Sequence, residues 1–408
     1  MDDLHGNLRG IIEHMDDIQN LGIDVLYMTP IFQSNSCHKY DTTDYYQIDP
    51  SFGTTEDLKE LVQKAHERGM KVVLDAVYNH TGREFFAFAD ILENGEKSKY
   101  RDWYFIDGFP LKSEWGEIPN FKCFGYYGGM PKLNLKNPEV EKYITDVACY
   151  WIKECDIDGW RLDVGDEISH FFWKNFRKAV KAVKKDLLII GEIWHYAGDF
   201  LEGDEWDTVM NYPFYLNLID LLADEKITVS QFVQNLGYLK GRLNKNCYPL
   251  MWNLIDSHDT ARFLHLCNDN KKKQHLAAAF QLLLPGMPMI YYGDEYAMPG
   301  ANDPDCRRGM YWDEEYQDKE MYEWYKRLIQ VRKSHACIVE GELAGIVTED
   351  EEGTIVLIRK NGEETIAMIF NCSSSAKKFN EYTQKYNLLT ENTFDGNVEG
   401  FDAAVIVL

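Results

Sequence analysis

Short apolar runs rich in β-branched residues alternate along this chain with longer stretches whose apolar residues recur at helical spacing. The runs fall at 24–29, 71–77, 159–164, 187–194, 208–210, 251–257 and 287–292. Stretches 8–21 and 55–68 read as amphipathic helices. In the second, Leu58, Leu61, Val62 and Ala65 share one face while the glutamates point away. Gly69 then ends that helix ahead of the next run. Near-continuous apolar strands separated by helices imply a parallel sheet covered on both faces. The repeated unit predicts an α/β fold of the TIM (β/α)8 barrel type. Seven strands are counted where a closed barrel needs eight. The chain opens on a helix, so the expectation is that the first barrel strand lies before Met1.

The rhythm breaks twice. From 79 to 142 no alternation is visible, and aromatics and glycines crowd together, as in Phe124-Gly125-Tyr126-Tyr127-Gly128-Gly129. Such a long connection predicts a rim subdomain, placed at 80–134 after the third strand. After His335 the runs 354–359, 365–370 and 403–407 alternate with turns such as Lys360-Asn361-Gly362. They predict a C-terminal antiparallel β-sandwich domain at 335–408, following a catalytic barrel at 1–334.

Composition narrows the function classes. The 408 residues are 45 % apolar and 27 % charged, an ordinary globular balance. A net charge of −24 disfavours nucleic acid and anionic membrane as partners. It suits a neutral substrate such as sugar, and aromatic content of 14 % suits sugar stacking. Most of those rings are nonetheless expected to fill the core. Nine cysteines without a CxxC pair point to free thiols in a reducing compartment, hence the cytoplasm. No apolar run is long enough to span a membrane. The first residues lack the charged and apolar regions of a signal peptide.

Three strand-like runs end in acids: Asp163 after Gly159-Trp160-Arg161-Leu162, Glu192 after Ile189-Ile190-Gly191, and Asp259 after Ile255-Asp256-Ser257-His258. At the rim of a parallel barrel, side chains from distant parts of the chain converge. Three acids in one pocket suit a reaction that donates a proton and stabilises a positive carbon, as glycoside hydrolysis does. Arg161 shares a strand face with Asp163 and favours its ionised form, which a nucleophile requires. Taken alone, that pair reads equally well as structural. Glu192 must hold a proton to act as an acid, and neighbouring carboxylates together with Ile193 and Trp194 would favour that form. A third ionised acid, Asp259, can bind sugar hydroxyls and favour the flattened transition state. His80 and His258 each sit at a strand end, the second beside Asp259. Their paired placement favours hydroxyl binding over the structural role usual for one histidine.

The blocks Asp75–His80, Gly159–Asp163, Glu192 and His258–Asp259, in this order, resemble the signature regions of the α-amylase clan (family 13) of glycoside hydrolases. Met130-Pro131-Lys132-Leu133-Asn134, His38-Lys39-Tyr40-Asp41-Thr42 and Asn302-Asp303-Pro304-Asp305-Cys306-Arg307-Arg308 resemble its neopullulanase, cyclomaltodextrinase and maltogenic amylase group. The resemblance implies a retaining hydrolase of α-1,4-glucosidic bonds in maltodextrins, cyclomaltodextrins or pullulan. It makes Asp163 the nucleophile, Glu192 the general acid/base and Asp259 the transition-state stabiliser. Arg161, His80 and His258 would line the same sugar subsite, supported by Asp75, with Tyr40 stacked under the reacting glucose. Asp303 and Arg307 would grip the non-reducing side, and Trp194 would touch the leaving-group side unless it packs in the core.

Two departures stand out. Val164-Gly165-Asp166-Glu167 replaces the group's Val-Ala-Asn-Glu. These 408 residues do not include the N-terminal β domain that members of the group use in forming a dimer; the expectation is that it lies before Met1, and a homodimer stays open. No cofactor is implied beyond a calcium ion near the first strand, a region to which only Asp3 corresponds. The resemblance to the wider clan offers Asn79 as a further calcium ligand, resting on a lone asparagine. A transglycosylase on the same substrates, and a carbohydrate-binding or scaffold relative without turnover, remain alternatives.

Overall fold

A computed structural model describes residues 6–112 and 118–408, so Asp3 lies outside the described residues. The chain divides into two compact units: Met1–Ile193 with Asp199–Val209, and Trp194–Gly198 with Met210–Leu408.

The first unit is built on a five-stranded parallel sheet. Its strands run in the spatial order Val25–Met28, Lys71–Ala76, Gly159–Leu162, Leu188–Gly191 and Thr208–Val209. Gly159–Leu162 is buried at every residue, and Lys71–Ala76 at every residue but the first. That explains why these strands read as continuous apolar runs rather than alternating ones. Helix Thr55–Glu67 starts at a capping box in which Thr54 and Asp57 satisfy each other's backbone N–H groups. Helices Pro138–Cys155 and His170–Val183 start at Asn137 and Ser169, whose side chains accept from Glu139 N and Phe172 N.

Strand register fixes where the chemistry emerges. Asp75 pairs with Arg161, and Leu162 pairs with Gly191. Asp163 and Glu192 are therefore the first residues past the last paired positions of two neighbouring strands, at the same level. Asp163 N–H still bonds Ala76 O (3.2 Å) and Glu192 N–H bonds Leu162 O (3.0 Å).

Two details of the expected pattern change. Stretch 8–21 is two helices, Leu8–Glu13 and Met15–Leu21, separated where His14 leaves helical backbone geometry (φ −100°, ψ 14°). Region 79–142 is not free of regular elements. It contains helix Phe86–Asn94, and helix Pro138–Cys155 begins inside its C-terminal end. The first lacks a capping side chain, is only nine residues long and leaves apolar Phe86 and Leu92 exposed, so its periodicity is muted.

The second unit holds a parallel pair, Trp252–Leu254 with Met287–Met289, and a bridge from Met210 to Trp252. Around it run helices Tyr212–Leu218, Val229–Arg242, Lys271–Leu283 and Lys319–Ser334. A six-stranded antiparallel sheet follows, in the order Glu342–Glu349, Thr354–Asn361, Glu364–Asn371, Asp402–Val407, Tyr386–Asn387 and Asn392–Thr393. Val356, Ala367, Ile369, Phe379, Phe394, Val398, Ala404 and Ile406 form its core cluster. Strand Glu342–Glu349 escaped the sequence reading because it is exposed almost throughout and carries no apolar alternation. No described helix is long and apolar enough to cross a membrane.

Candidate active site

In the first unit one guanidinium organises the strand ends. Arg161 is fully buried. Its Nη1 donates to Asp75 (3.0 and 3.1 Å) and to Asp163 Oδ1 (2.9 Å), while its Nη2 lies 2.9 Å from Glu192 Oε2. The bond to Asp163 was readable from the two-residue spacing. The contact with Glu192 was not, because it depends on the register between strands. Val164 N–H also donates to Glu192 Oε2 (3.0 Å).

Asp75 is the most enclosed of these acids. Tyr27 Oη donates to it at 2.7 Å and Tyr40 Oη at 3.1 Å. Burial pushes its carboxyl up to about 6, against the pull of Arg161 and Tyr27. Tyr27 escaped the sequence reading, since its strand offers no polar motif.

Tyr40 is held at three points. Its hydroxyl reaches Asp75, its N–H meets His38 Nδ1 (3.0 Å), and its carbonyl accepts from His80 Nε2 (3.0 Å). The adjoining Lys39 is 2 % exposed, has φ +65° and pairs with Asp49 at 3.0 Å. That buried pair anchors the loop bearing Tyr40. Lys39 belongs to the His38–Thr42 motif, which was the signal available for it. His80 itself is buried and stacks on Phe124 (5.2 Å, 19°), a ring from the aromatic–glycine stretch. Burial lowers its imidazole to about 4, so the ring is neutral at pH 7. In this arrangement His80 holds the Tyr40 main chain.

The turn after Asp163 explains one departure in sequence. Val164 adopts a left-handed conformation (φ 47°, ψ 43°), unusual for a β-branched residue. At Gly165 an added Cβ would come within 2.8 Å of Trp206, which is 1 % exposed and stacked face to face on Phe200 at 4.0 Å. Glycine is thus required by a ring that cannot easily retreat. Gly165→Ala is expected to destabilise the protein by about 1–3 kcal/mol through overpacking. Thermal melting checks this, and an unchanged midpoint would mean that Trp206 yields.

The second unit gathers the remaining candidates. Asp259 lies 3.1 Å from His258 Nε2 through Oδ2 and 3.6 Å from Arg307 Nη2 through Oδ1. Arg307 Nε donates to the His258 carbonyl (2.8 Å) and lies 3.2 Å from Asp303. His258 is buried, whereas the Asp259 and Asp303 side chains remain 30 % and 55 % exposed. Trp194 is 41 % exposed and stacks on Tyr212 at 3.9 Å, which favours a partly open ring over a core one.

Asn79 is occupied by a lysine. Its Oδ1 accepts from Lys132 Nζ at 2.6 Å, and the same ammonium contacts Glu167 O (3.1 Å) and Oε2 (2.8 Å). Calcium takes six to eight oxygens and would have to displace this lysine, so the residues present do not fit it. Among the described residues no group of three His, Cys, Asp or Glu side chains could hold a metal ion.

Comparison with known proteins follows the same lines. The model of the α-amylase catalytic domain matches residues 1–319. A cyclomaltodextrinase of Geobacillus thermopakistaniensis is 48 % identical over 371 residues, 91 % of this chain and 63 % of that protein. The solved structure of a cyclomaltodextrinase matches with TM-score 0.93 at 39 % identity, covering 98 % of this chain and 71 % of that one. A cyclic α-maltosyl-(1→6)-maltose hydrolase from Arthrobacter globiformis, in complex with cyclic α-maltosyl-(1→6)-maltose, matches with TM-score 0.91 at 35 % identity. There the match covers 99 % of this chain and 90 % of that one. The chain spans just under two thirds of the length of the Geobacillus relative, 63 %.

Proposed function

The chain belongs to the α-amylase family of catalytic domains, and we propose that it is a retaining glycoside hydrolase cleaving α-1,4-glucosidic bonds in maltodextrins, cyclomaltodextrins or pullulan. One observation carries the reading: a single buried guanidinium, Arg161, engages Asp75, Asp163 and Glu192 at once. Two carboxylates held by one cation at adjacent strand ends suit the close acid–nucleophile spacing of retaining enzymes, about 5–5.5 Å.

Asp163, held by Arg161 Nη1, attacks the anomeric carbon as the bond to the leaving oxygen breaks. Glu192 gives its proton to that oxygen. A β-linked glycosyl ester on Asp163 results. Glu192, now a carboxylate, takes a proton from water as the water attacks the same carbon and frees Asp163. The family resemblance gives Asp259 the role of accepting hydrogen bonds from sugar hydroxyls that strengthen as the ring flattens. His258 lies against it, and Arg307 with Asp303 binds the neighbouring glucose. By the same resemblance Tyr40 would stack under the reacting sugar and Trp194 would touch the leaving-group side.

No cofactor enters this scheme. The nine cysteines, none in a disulfide, support a cytoplasmic site of action. A homodimer belongs to the same proposal and rests on the resemblance alone.

Hydrolysis of cyclomaltoheptaose, followed by proton NMR within minutes of mixing, tests the reading. The newly formed reducing end is expected as the α-anomer. An initial β-anomer would overturn the retaining mechanism. Longer oligosaccharides from maltotriose would mark transfer in place of hydrolysis.

A further inference from the structure

Three oxygens from two remote segments converge on one ammonium group. Lys132 Nζ meets Asn79 Oδ1, Glu167 O and Glu167 Oε2 at 2.6, 3.1 and 2.8 Å. Asn79 is fully buried and lies just past strand Lys71–Ala76. Its amide closes the cluster by donating to Glu167 Oε2 (3.2 Å). The backbone reinforces the link, since Lys132 bridges His80 and Leu133 N–H bonds Asn79 O (3.0 Å).

Glu167 ends the short turn that begins at Gly165, directly after the left-handed Val164. Its N–H bonds Val164 O (3.1 Å), and Gly165 N–H bonds Glu192 O (3.3 Å). A β-branched residue in this conformation persists only when its surroundings hold it there. The surroundings here are the Glu192 carboxylate on one side and the Lys132–Glu167 pair on the other. A neutral amide, a carbonyl and one carboxylate carry a net charge of −1, which a single ammonium balances.

We propose that Lys132 is an internal cation standing where a divalent ion would otherwise tie Asn79 to the Glu167 turn, and that this tie positions Asp163. Lys132 is a positioning residue; it acts on the nucleophile through Glu167 and Val164. The positioning half rests on the hydrolase reading. The cation half does not, because it is tested by binding and melting alone.

Lys132→Met, which fills the space without charge, and Lys132→Ala, which empties it, separate the two halves. Wild-type protein is expected to show the same melting temperature in EDTA and in millimolar CaCl2. Lys132→Met should lose about 100-fold in kcat on cyclomaltoheptaose with KM nearly unchanged, as for a misplaced reacting group. Lys132→Ala should bind Ca2+ in calorimetry and regain melting temperature and part of its kcat on adding CaCl2. Lys132→Met should not respond to CaCl2.

A Lys132→Met enzyme with wild-type kcat would overturn the positioning role. A folded Lys132→Ala protein indifferent to Ca2+ would overturn the cation role. If Lys132→Ala does not fold, Asn79→Ala in the Lys132→Met background serves instead. Additive losses in melting temperature from the two changes would refute the tie, and non-additive losses would support it. Absence of turnover in the wild type would count against the hydrolase reading and leave the Ca2+ and melting results standing.

Discussion

Asp163→Asn is expected to lower turnover of cyclomaltoheptaose by about 10⁵-fold while leaving the melting temperature nearly unchanged. Asparagine keeps the shape of the side chain and an oxygen that Arg161 Nη1, 2.9 Å away, can still bond. It removes the anionic oxygen that would form the glycosyl ester. Stability is spared because Arg161 keeps its contacts with Asp75 and Glu192. A chromogenic maltoside assay beside a melting curve checks both halves. Near-wild-type turnover would remove Asp163 as nucleophile, and a collapse in melting temperature would show that its main work is structural.

Arg161→Met should be the most damaging single change for the fold. The guanidinium is fully buried and faces three carboxylates. Removing it leaves negative charges crowded in a low-dielectric setting. Breaking a buried ion pair from one side typically costs about 3–5 kcal/mol, and the loss of the Arg161–Asp163 bond should suppress turnover as well. The penalty carries a pH signature. The folded-state value for Asp75, about 6 against the ordinary 3.8, means the native state binds its proton more tightly than the unfolded chain. The stability this contributes is present at low pH and is lost as pH rises through 6. Without Arg161 pulling the other way, the carboxyl rises further. The variant should therefore be more destabilised, relative to wild type, at pH 8 than at pH 5. Urea unfolding at both values is the measurement. An equal loss at the two would show that Asp75 is not the group left uncompensated.

Much of the fold was legible because burial has a period. The strand runs at 71–77, 159–164 and 187–194 and the helix at 55–68 match structural elements within a few residues, since covering a parallel sheet on both faces makes its strands uniformly apolar. Elements without that signature were missed: the short, uncapped helix Phe86–Asn94 and the exposed strand Glu342–Glu349. Asp163 and Glu192 were legible for a related reason, whereas Asp259 lies well beyond the end of strand Trp252–Leu254. A charged residue straight after an apolar run marks the place where a strand leaves the sheet.

The chain's own order of residues determined the alternating architecture, the acids at the strand ends, the Arg161–Asp163 pair two residues apart and the motifs that carry the family likeness. Tertiary structure decided which partners those residues acquire. It set Arg161 against Glu192 and Asp75, Tyr27 and Tyr40 on Asp75, His80 on the Tyr40 carbonyl, Trp206 against Gly165, and Lys132 between Asn79 and Glu167. The physical reason is range. Periodicity records whether a side chain faces water or protein, a property that neighbours in sequence share. Which two groups come within 3 Å depends on strand register and loop path, which link residues dozens of positions apart and leave no trace in local pattern.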